Sequence, residues 1–556
     1  MTKHQLMGHW PLQENASDVA GKHHGVAHQV TFVDGPGGST TAAAQFNGPD
    51  SRIEVPAAND LQLANKDFSI AAWVRCDTPM RGVFGEVLSK FDPNSRCGFN
   101  LQVAGSTAGY SAMSDSRHIH FGIDDGYIGP WTDCGKPWQS NSLVSALVAY
   151  EGELYASIAD ADDPMDAARV FRWVGETEWE DCGRLGNDAG HLSVQSMIVH
   201  DGRLYAGTGV WDWVRASGDG FEPALSRVFV YEGGRKWRDL GPVGTSVRVL
   251  SLASFNGDLY AGLDRVGGGH CFKYDGQSWT DCGAPDGDNF ENLFPVDGVL
   301  YGATHRNHYR YDGGQSWTCL SREPHGTTQT HAYQTYQGKL WAGTWPQGYV
   351  LRWEGSEWAN TGRLGIPEGE HREINEINNL IVYNGKLYAG VIPKAQVWRY
   401  ETDGNWTLMN SLASRPDYTV EETASWCRVP TMTAYQGRLF AGTGSCISRA
   451  IDVDPDHTLG RVYAIELGQT VSHDHDIGTG WTHVTAIRQG RELQLYVDGE
   501  HVATSQAPDS HTFDLTNSRP LTIGAGPQGT FAGCIADLRL YNGVLNDNQV
   551  KAIASL

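Results

Sequence analysis

A thirteen-residue segment recurs seven times through the middle of this 556-residue chain, and no other feature restricts the fold as much. The copies read SALVAYEGELYAS from Ser145, SMIVHDGRLYAGT from Ser196, SLASFNGDLYAGL from Ser251 and NLFPVDGVLYGAT from Asn292. They continue with AYQTYQGKLWAGT from Ala332, NLIVYNGKLYAGV from Asn379 and TMTAYQGRLFAGT from Thr431. Each copy reads as a hairpin: a strand, a two-residue turn ending in glycine, and a returning L-Y-A-G strand. The pivots are Gly152, Gly202, Gly257, Gly298, Gly338, Gly385 and Gly437. A third strand follows, as in RVFRW from Arg169. A fourth opens at Trp179, Trp237, Trp279, Trp317, Trp358 and Trp406. Four strands repeating every ~40–55 residues is the period of β-propeller blades.

The seventh copy ends RVYAIEL with no tryptophan strand after it, and a spare strand, PWTDCG at Trp131, precedes the first copy. The spare strand is expected to complete the last blade. The sequence therefore predicts a closed seven-bladed ring over residues 127–468. Cys134, Cys182 and Cys282 each end such a tryptophan strand, with Cys319 near the same place. They read as structural thiols, and no CxxC pair suggests zinc or redox chemistry.

The flanks, 1–126 and 469–556, are incomplete alone. Joined, their alternating segments follow the strand order of a jelly roll. The segments FSIAAWV from Phe68, GWTHVTA from Gly480 with LYVDG from Leu495, and FAGCIADLRLYN from Phe531 resemble the laminin-G-like, concanavalin A-like sandwich family. The expected architecture is all-β: a seven-bladed β-propeller inserted into a laminin-G-like sandwich, at a loop where insertion is tolerated. The resemblance implies glycan binding and a calcium ion in the sandwich. Asp18 and Asp537 match its calcium region loosely, with Asp537 expected to be structural.

The net charge of −23 opposes nucleic-acid binding, and an anionic substrate would need a local basic patch. No run approaches the ~20 apolar residues of a membrane span. The start, MTKHQLMGHWPLQ, lacks the apolar core of a signal peptide. That reads as an intracellular protein at face value, or a secreted one whose leader has been removed. Oligomeric state is not legible.

Counting back from each pivot locates candidate chemistry. Seven residues back stand Ser145, Gln195, Leu250, Glu291, His331, Asn378 and Pro430. Nine back stand Leu143, Ser193, Arg248, Asn289, Gln329, Glu376 and Arg428. The register between these rows is mostly apolar, so alternation points both rows at the central channel. One mouth should gather Arg248, Arg428, His331, Glu291, Glu376, Gln195 and Asn378. His305, Arg306 and Trp345 follow at the ends of second strands, and Trp211, His371, Arg372 and Tyr418 lie in nearby loops. His118 and His120 share a strand face, with His473 and His475 across the insertion. A solvated junction is expected there rather than a metal.

Catalytic templates mostly fail. DGGQSW and DGQSW match only the tail of the sialidase box, and no GxSxG elbow or HExxH helix is present. Glu291 and Glu376 could form the carboxylate pair of a glycoside hydrolase. β-Elimination beside a uronic acid fits the inventory better. Arg248 or Arg428, with Asn378, would neutralise the sugar carboxylate. His331 would act as base, His305 as acid and Tyr418 in reserve. The G-x-L-Y-A-G and tryptophan repeats resemble seven-bladed polysaccharide lyases acting on ulvan or rhamnose-glucuronate chains. The leading expectation is thus a lyase acting on a polysaccharide or oligosaccharide. A non-catalytic glycan- or protein-binding propeller is the alternative.

Overall fold

The computed structural model describes residues 5–77, 84–105, 107–108, 112–139, 143–161, 163–187, 189–211, 222–367, 375–412, 427–445, 460–507 and 511–555. The described residues are almost wholly β, with one helix of any length, Asp547–Ala554, closed by an Asn546–Gln549 capping box.

Every repeat folds as the hairpin its sequence implies. At each pivot two consecutive residues take positive φ: Glu151 and Gly152, Asp201 and Gly202, Asn256 and Gly257, Asp297 and Gly298, Gln337 and Gly338, Asn384 and Gly385, Gln436 and Gly437. That is the primed turn whose twist matches a hairpin, and it explains the repeated X-Gly pair. The third and fourth strands pair outward from each hairpin, and the sheets form a propeller-like ring.

Five repeats stand as separate blades, not seven. The third to seventh copies each have a sheet of their own, whereas the first two share one eight-stranded sheet. The join is a single pairing, Ala159 to Ser193, where the second strand of the first copy meets the inner strand of the next. The seventh sheet takes its outer strand from Thr132–Asp133, which pairs with Val462–Ile465, so the spare PWTDCG segment does complete it. Neighbouring copies are latched by the outer-strand tryptophans. Trp179 Nε1 donates to the Cys134 carbonyl at 2.8 Å, Trp237 to Cys182 at 2.9 Å and Trp317 to Cys282 at 2.9 Å. The shared W-x-D-C setting thus serves a main-chain acceptor, while the thiols of Cys134, Cys182 and Cys282 are buried and free.

The flanking segments interleave in two stacked sheets. In one, Phe68–Cys76 lies between Thr482–Gln489 and Gly533–Asn542. In the other, His118–Ile128 lies between Cys97–Ala104 and Leu467–His473. Phe68 packs on Phe99 and Phe121 at 5.4 and 5.9 Å between ring centres, inside a core that also buries Trp10 and Phe46. This core runs on into the fourth and fifth copies through Phe294, Tyr333 and Leu340.

One element has no counterpart in the sequence reading. Two short strands, Thr107–Ala108 and Ala112–Met113, reach from the sandwich into the ring, where Met113 pairs in parallel with Ala253 on the third copy's inner strand. Ala112 and Met113 are fully buried, and the pair of strands also touches the inner strands of the first, second, fourth and seventh copies. The sandwich therefore fills the channel from its own side, and the seven-back and nine-back rows lie at the opposite end of the inner strands.

Candidate functional site

In six of the seven repeats the inner strand slips register at the same place, seven residues before the pivot glycine. The bulged residues are Ser145, Gln195, Leu250, Glu291, His331 and Asn378. In the seventh copy the slip spans Arg428 to Thr431. A bulge adds a residue that the partner strand does not match and re-aims its side chain. The seven-back side chains meet those of the nine-back row. His331 Nε2 lies 2.8 Å from Gln329 Oε1, Asn289 Nδ2 lies 3.5 Å from Glu291 Oε1, and Asn378 Nδ2 donates to Glu376.

These contacts continue as one chain of charge across the fourth to seventh copies. His305 Nε2 lies 2.6 Å from Glu291 Oε1. Glu291 Oε2 faces His331 Nδ1 at 3.8 Å, and His331 Nε2 faces Glu376 Oε1 at 3.4 Å. Arg428 Nη1 reaches the same Glu376 oxygen at 3.6 Å, and its guanidinium lies 5.6 Å from the centre of the Trp211 ring. Glu291, His331, Glu376 and Arg428 are buried. His305 is the most open, its side chain 15% exposed.

Burial alone would raise the Glu291 carboxyl, but hydrogen bonds and charge from His305 and His331 outweigh it and hold Glu291 well below the usual carboxylate range. Burial alone would lower His331. Glu376 and Glu291 on its two sides overcome that and raise it above the ordinary histidine value. The central pair is therefore an ionised carboxylate beside a ring that favours its proton. A residue biased this way suits donating a proton rather than taking one, the reverse of the base role expected from sequence.

Three polar atoms in the same wall are buried with no hydrogen-bond partner among the described residues: Gln195 Oε1, Asn378 Oδ1 and Trp345 Nε1. Buried polar groups are rarely left unpaired, and a ligand is one way to satisfy them. Trp345 pairs with Gln329 at the end of its strand.

The remaining expected residues divide. Arg248 is buried further along the wall, against Gly209. Arg306 is on the exposed rim, bonded to Glu323 at 2.7 Å. His371, Arg372 and Tyr418 lie outside the described residues. His308 lies on the next strand, Asn307–Gly313, whereas His305 sits in the bend before it, and His308 bonds to Tyr333.

The expected calcium pair does not fit an ion. Asp18 accepts main-chain N–H bonds from His9, Ala20 and His23. Asp537 is bonded to His9 Nε2 at 2.6 Å and to Arg539 at 2.8 Å. Calcium needs six to eight oxygen ligands, whereas Asp18 is grouped with main-chain N–H groups and Asp537 with a histidine and an arginine cation, not with further oxygen donors.

Residues 401–551 match the concanavalin A-like lectin/glucanases superfamily. No curated protein matches the chain in sequence. Among solved structures, virginiamycin B lyase from Staphylococcus aureus is similar at 10% identity and a TM-score of 0.43, covering 61% of this chain and 99% of that one. The extracellular domain of a B. thetaiotaomicron protein described as a one component system gives 13% and 0.44, covering 69% and 48%. Trypanosoma rangeli sialidase gives 14% and 0.31, covering 75% and 94%. The chain is thus an all-β protein with a propeller-like ring and a concanavalin A-like domain.

Proposed function

We propose that the open mouth of the ring is the active site of a polysaccharide lyase that cleaves beside a uronic acid. The ring is read as seven blade units, two of them joined. The observation that carries the function is the chain His305–Glu291–His331–Glu376–Arg428 closed by Trp211. It combines a cation for the sugar carboxylate with two histidines that each sit between two carboxylates, and the partly exposed Trp345 offers an aromatic face for a ring. In the reaction, His305 takes the proton from the carbon next to the carboxylate. The electron pair forms a carbon–carbon double bond as the glycosidic carbon–oxygen bond breaks. His331, which favours its proton, gives it to the leaving oxygen. Glu291 Oε1 and Asn289 Nδ2 hold the ring at Nε2, 2.6 and 2.8 Å away, and Nδ1, 3.5 Å from Asp288 Oδ1, is the atom that takes the proton. Asn378, Gln195 and Trp345 offer their unpaired atoms to the sugar.

The assay is direct. The protein is incubated with glucuronate- and galacturonate-containing polysaccharides, and the ultraviolet absorbance of the unsaturated product is followed. Absorbance that His331→Ala and His305→Ala abolish supports the reading. New reducing ends without absorbance would instead make Glu291 and Glu376 a hydrolase pair. Saturable binding with neither product would make the mouth a lectin site.

A further inference from the structure

The strand that carries the chain out of the sandwich and the strand that brings it back pair side by side, and their register groups side chains that lie hundreds of residues apart. Ile119 pairs with His473 and His120 with Ser472. Partners across a ladder point to the same side, so His473 faces with Ile119, away from His118 and His120. One step further along the ladder, Asp474 is the residue that joins the two histidines. The ligand atoms of His118, His120 and Asp474 all lie within 4.8 Å of one another. Sequence spacing alone pointed to His473 and His475 instead.

A third strand completes the surround. Gln102 pairs with His120 and Ala104 with His118, so the small alanine leaves room beside the His118 ring. A cavity of about 30 Å³ opens there, lined by Gln102, Ala104, His118, His120, Gln334 and Gln528. That is room for a water or an ion. Gln102 and Gln528 are each 5% exposed, yet their Oε1 atoms are buried without a hydrogen-bond partner among the described residues. Two imidazoles and two amide oxygens without a donor among the described residues thus lie at this cavity, and the Asp474 carboxylate lies within 4.8 Å of both histidines. Asp474 is itself held in place by the Ser472 hydroxyl at 2.7 Å and the Gln436 amide at 2.9 Å.

We propose that His118, His120 and Asp474 form a binding site for a divalent transition metal of the zinc class, at the point where the inserted ring joins the sandwich. Two imidazoles and one carboxylate suit zinc, at about 2 Å from each ligand after small side-chain rotations, with a water or an amide oxygen as the fourth ligand. Because Asp474 also receives the amide of the Gln436–Gly437 turn, the ion would tie both sandwich halves to the seventh copy. The site lies toward the sandwich end of the inner strands, at Gln334 three residues on from His331, and does not depend on the chemistry of the mouth.

The full-length protein, stripped with chelator and titrated with zinc chloride and separately with cobalt chloride, tests this. The expected result is one tightly bound ion per chain, a visible d–d band of a four-coordinate cobalt site, and a higher melting temperature with zinc. His118→Ala and His120→Ala should each weaken binding by at least about tenfold. His473→Ala, on the opposite face, and Glu291→Gln, at the mouth, should not. Less than one equivalent of zinc with no cobalt band in the unaltered protein would overturn the proposal whatever the variants do. So would one equivalent retained by the double variant His118→Ala/His120→Ala.

Discussion

At the scale of single residues, the mouth is governed by His331 and the carboxylates on its two sides. Glu376 contributes most to raising His331 against burial. Glu376→Gln should therefore shift the His331 titration to lower pH, read by NMR of labelled histidine, and move the alkaline limb of any lyase activity the same way. An unmoved titration would mean that Glu376 does not set the proton affinity of this ring. The same shifts act on stability. His331 is raised on folding, so its contribution is complete below the ordinary value of 6.5 and is lost as pH climbs through the folded value. Glu291 is lowered on folding, so its contribution is complete above 4.5 and is lost as pH falls through the folded value. Both hold together between those two pH values. The urea midpoint should fall on either side of that window, and Glu291→Gln should flatten the profile. An equally pH-dependent Glu291→Gln protein would place the dependence elsewhere.

At the scale of elements, the hairpins were legible because a glycine at the second turn position is required by φ, and φ leaves its mark in sequence. The cost of replacing it depends on what the turn touches. Gly202 and Gly437 have nearly the same φ, 65° and 67°, but a Cβ at Gly202 meets nothing within 4 Å, whereas one at Gly437 would lie 2.2 Å from the Thr470 carbonyl. Gly202→Ala should cost about 1–2 kcal/mol, the left-handed backbone alone. Gly437→Ala should cost about 2–4 kcal/mol, since main chain of the sandwich strand must also move. Equal costs by urea denaturation would show that the sandwich yields freely at this contact. The bulges were not legible, because the bulged position has no common chemistry: Ser145, Gln195, Leu250, Glu291, His331 and Asn378 share only their place. Alternation still aimed both rows at the channel, because an i, i+2 pair stays on one side with or without the slip. The strands Thr107–Ala108 and Ala112–Met113 were missed for another reason. They lie in a run of small residues, AGSTAGYSAM, whose composition reads as a loop, and only the ring around them makes them strands. Asp474 was missed as a partner of His118 because register between distant strands is a tertiary property.

At the scale of the whole molecule, ring and sandwich are joined by polar and apolar contacts, and one of each can be set against the other. One is polar. The Asn384 side chain, at a turn with φ of 42°, donates to the Ile123 carbonyl at 3.2 Å and the Leu467 carbonyl at 2.7 Å. Gly122 and Gly468 leave room for it, since a Cβ on either would strike the Asn384 amide. The other is apolar: Phe294, Tyr333 and Leu340 of the ring are buried in the same core as the sandwich. Two hydrogen bonds contribute about 1 kcal/mol each. Three large buried side chains contribute about 1.5–3 kcal/mol each, so this apolar contact outweighs the Asn384 bonds in holding the two parts together. Asn384→Asp sets a carboxylate against two main-chain carbonyls and should cost about 2–4 kcal/mol, the loss of both bonds plus an unsatisfied buried charge. Calorimetry should then show a single transition at lower temperature, still shared by ring and sandwich. Leu340→Ala, which opens a cavity in the shared core, should broaden that transition or separate it into two. If instead Asn384→Asp splits the endotherm and Leu340→Ala only lowers it, the turn at Asn384 and not the continuous core is what makes the two parts one folding unit.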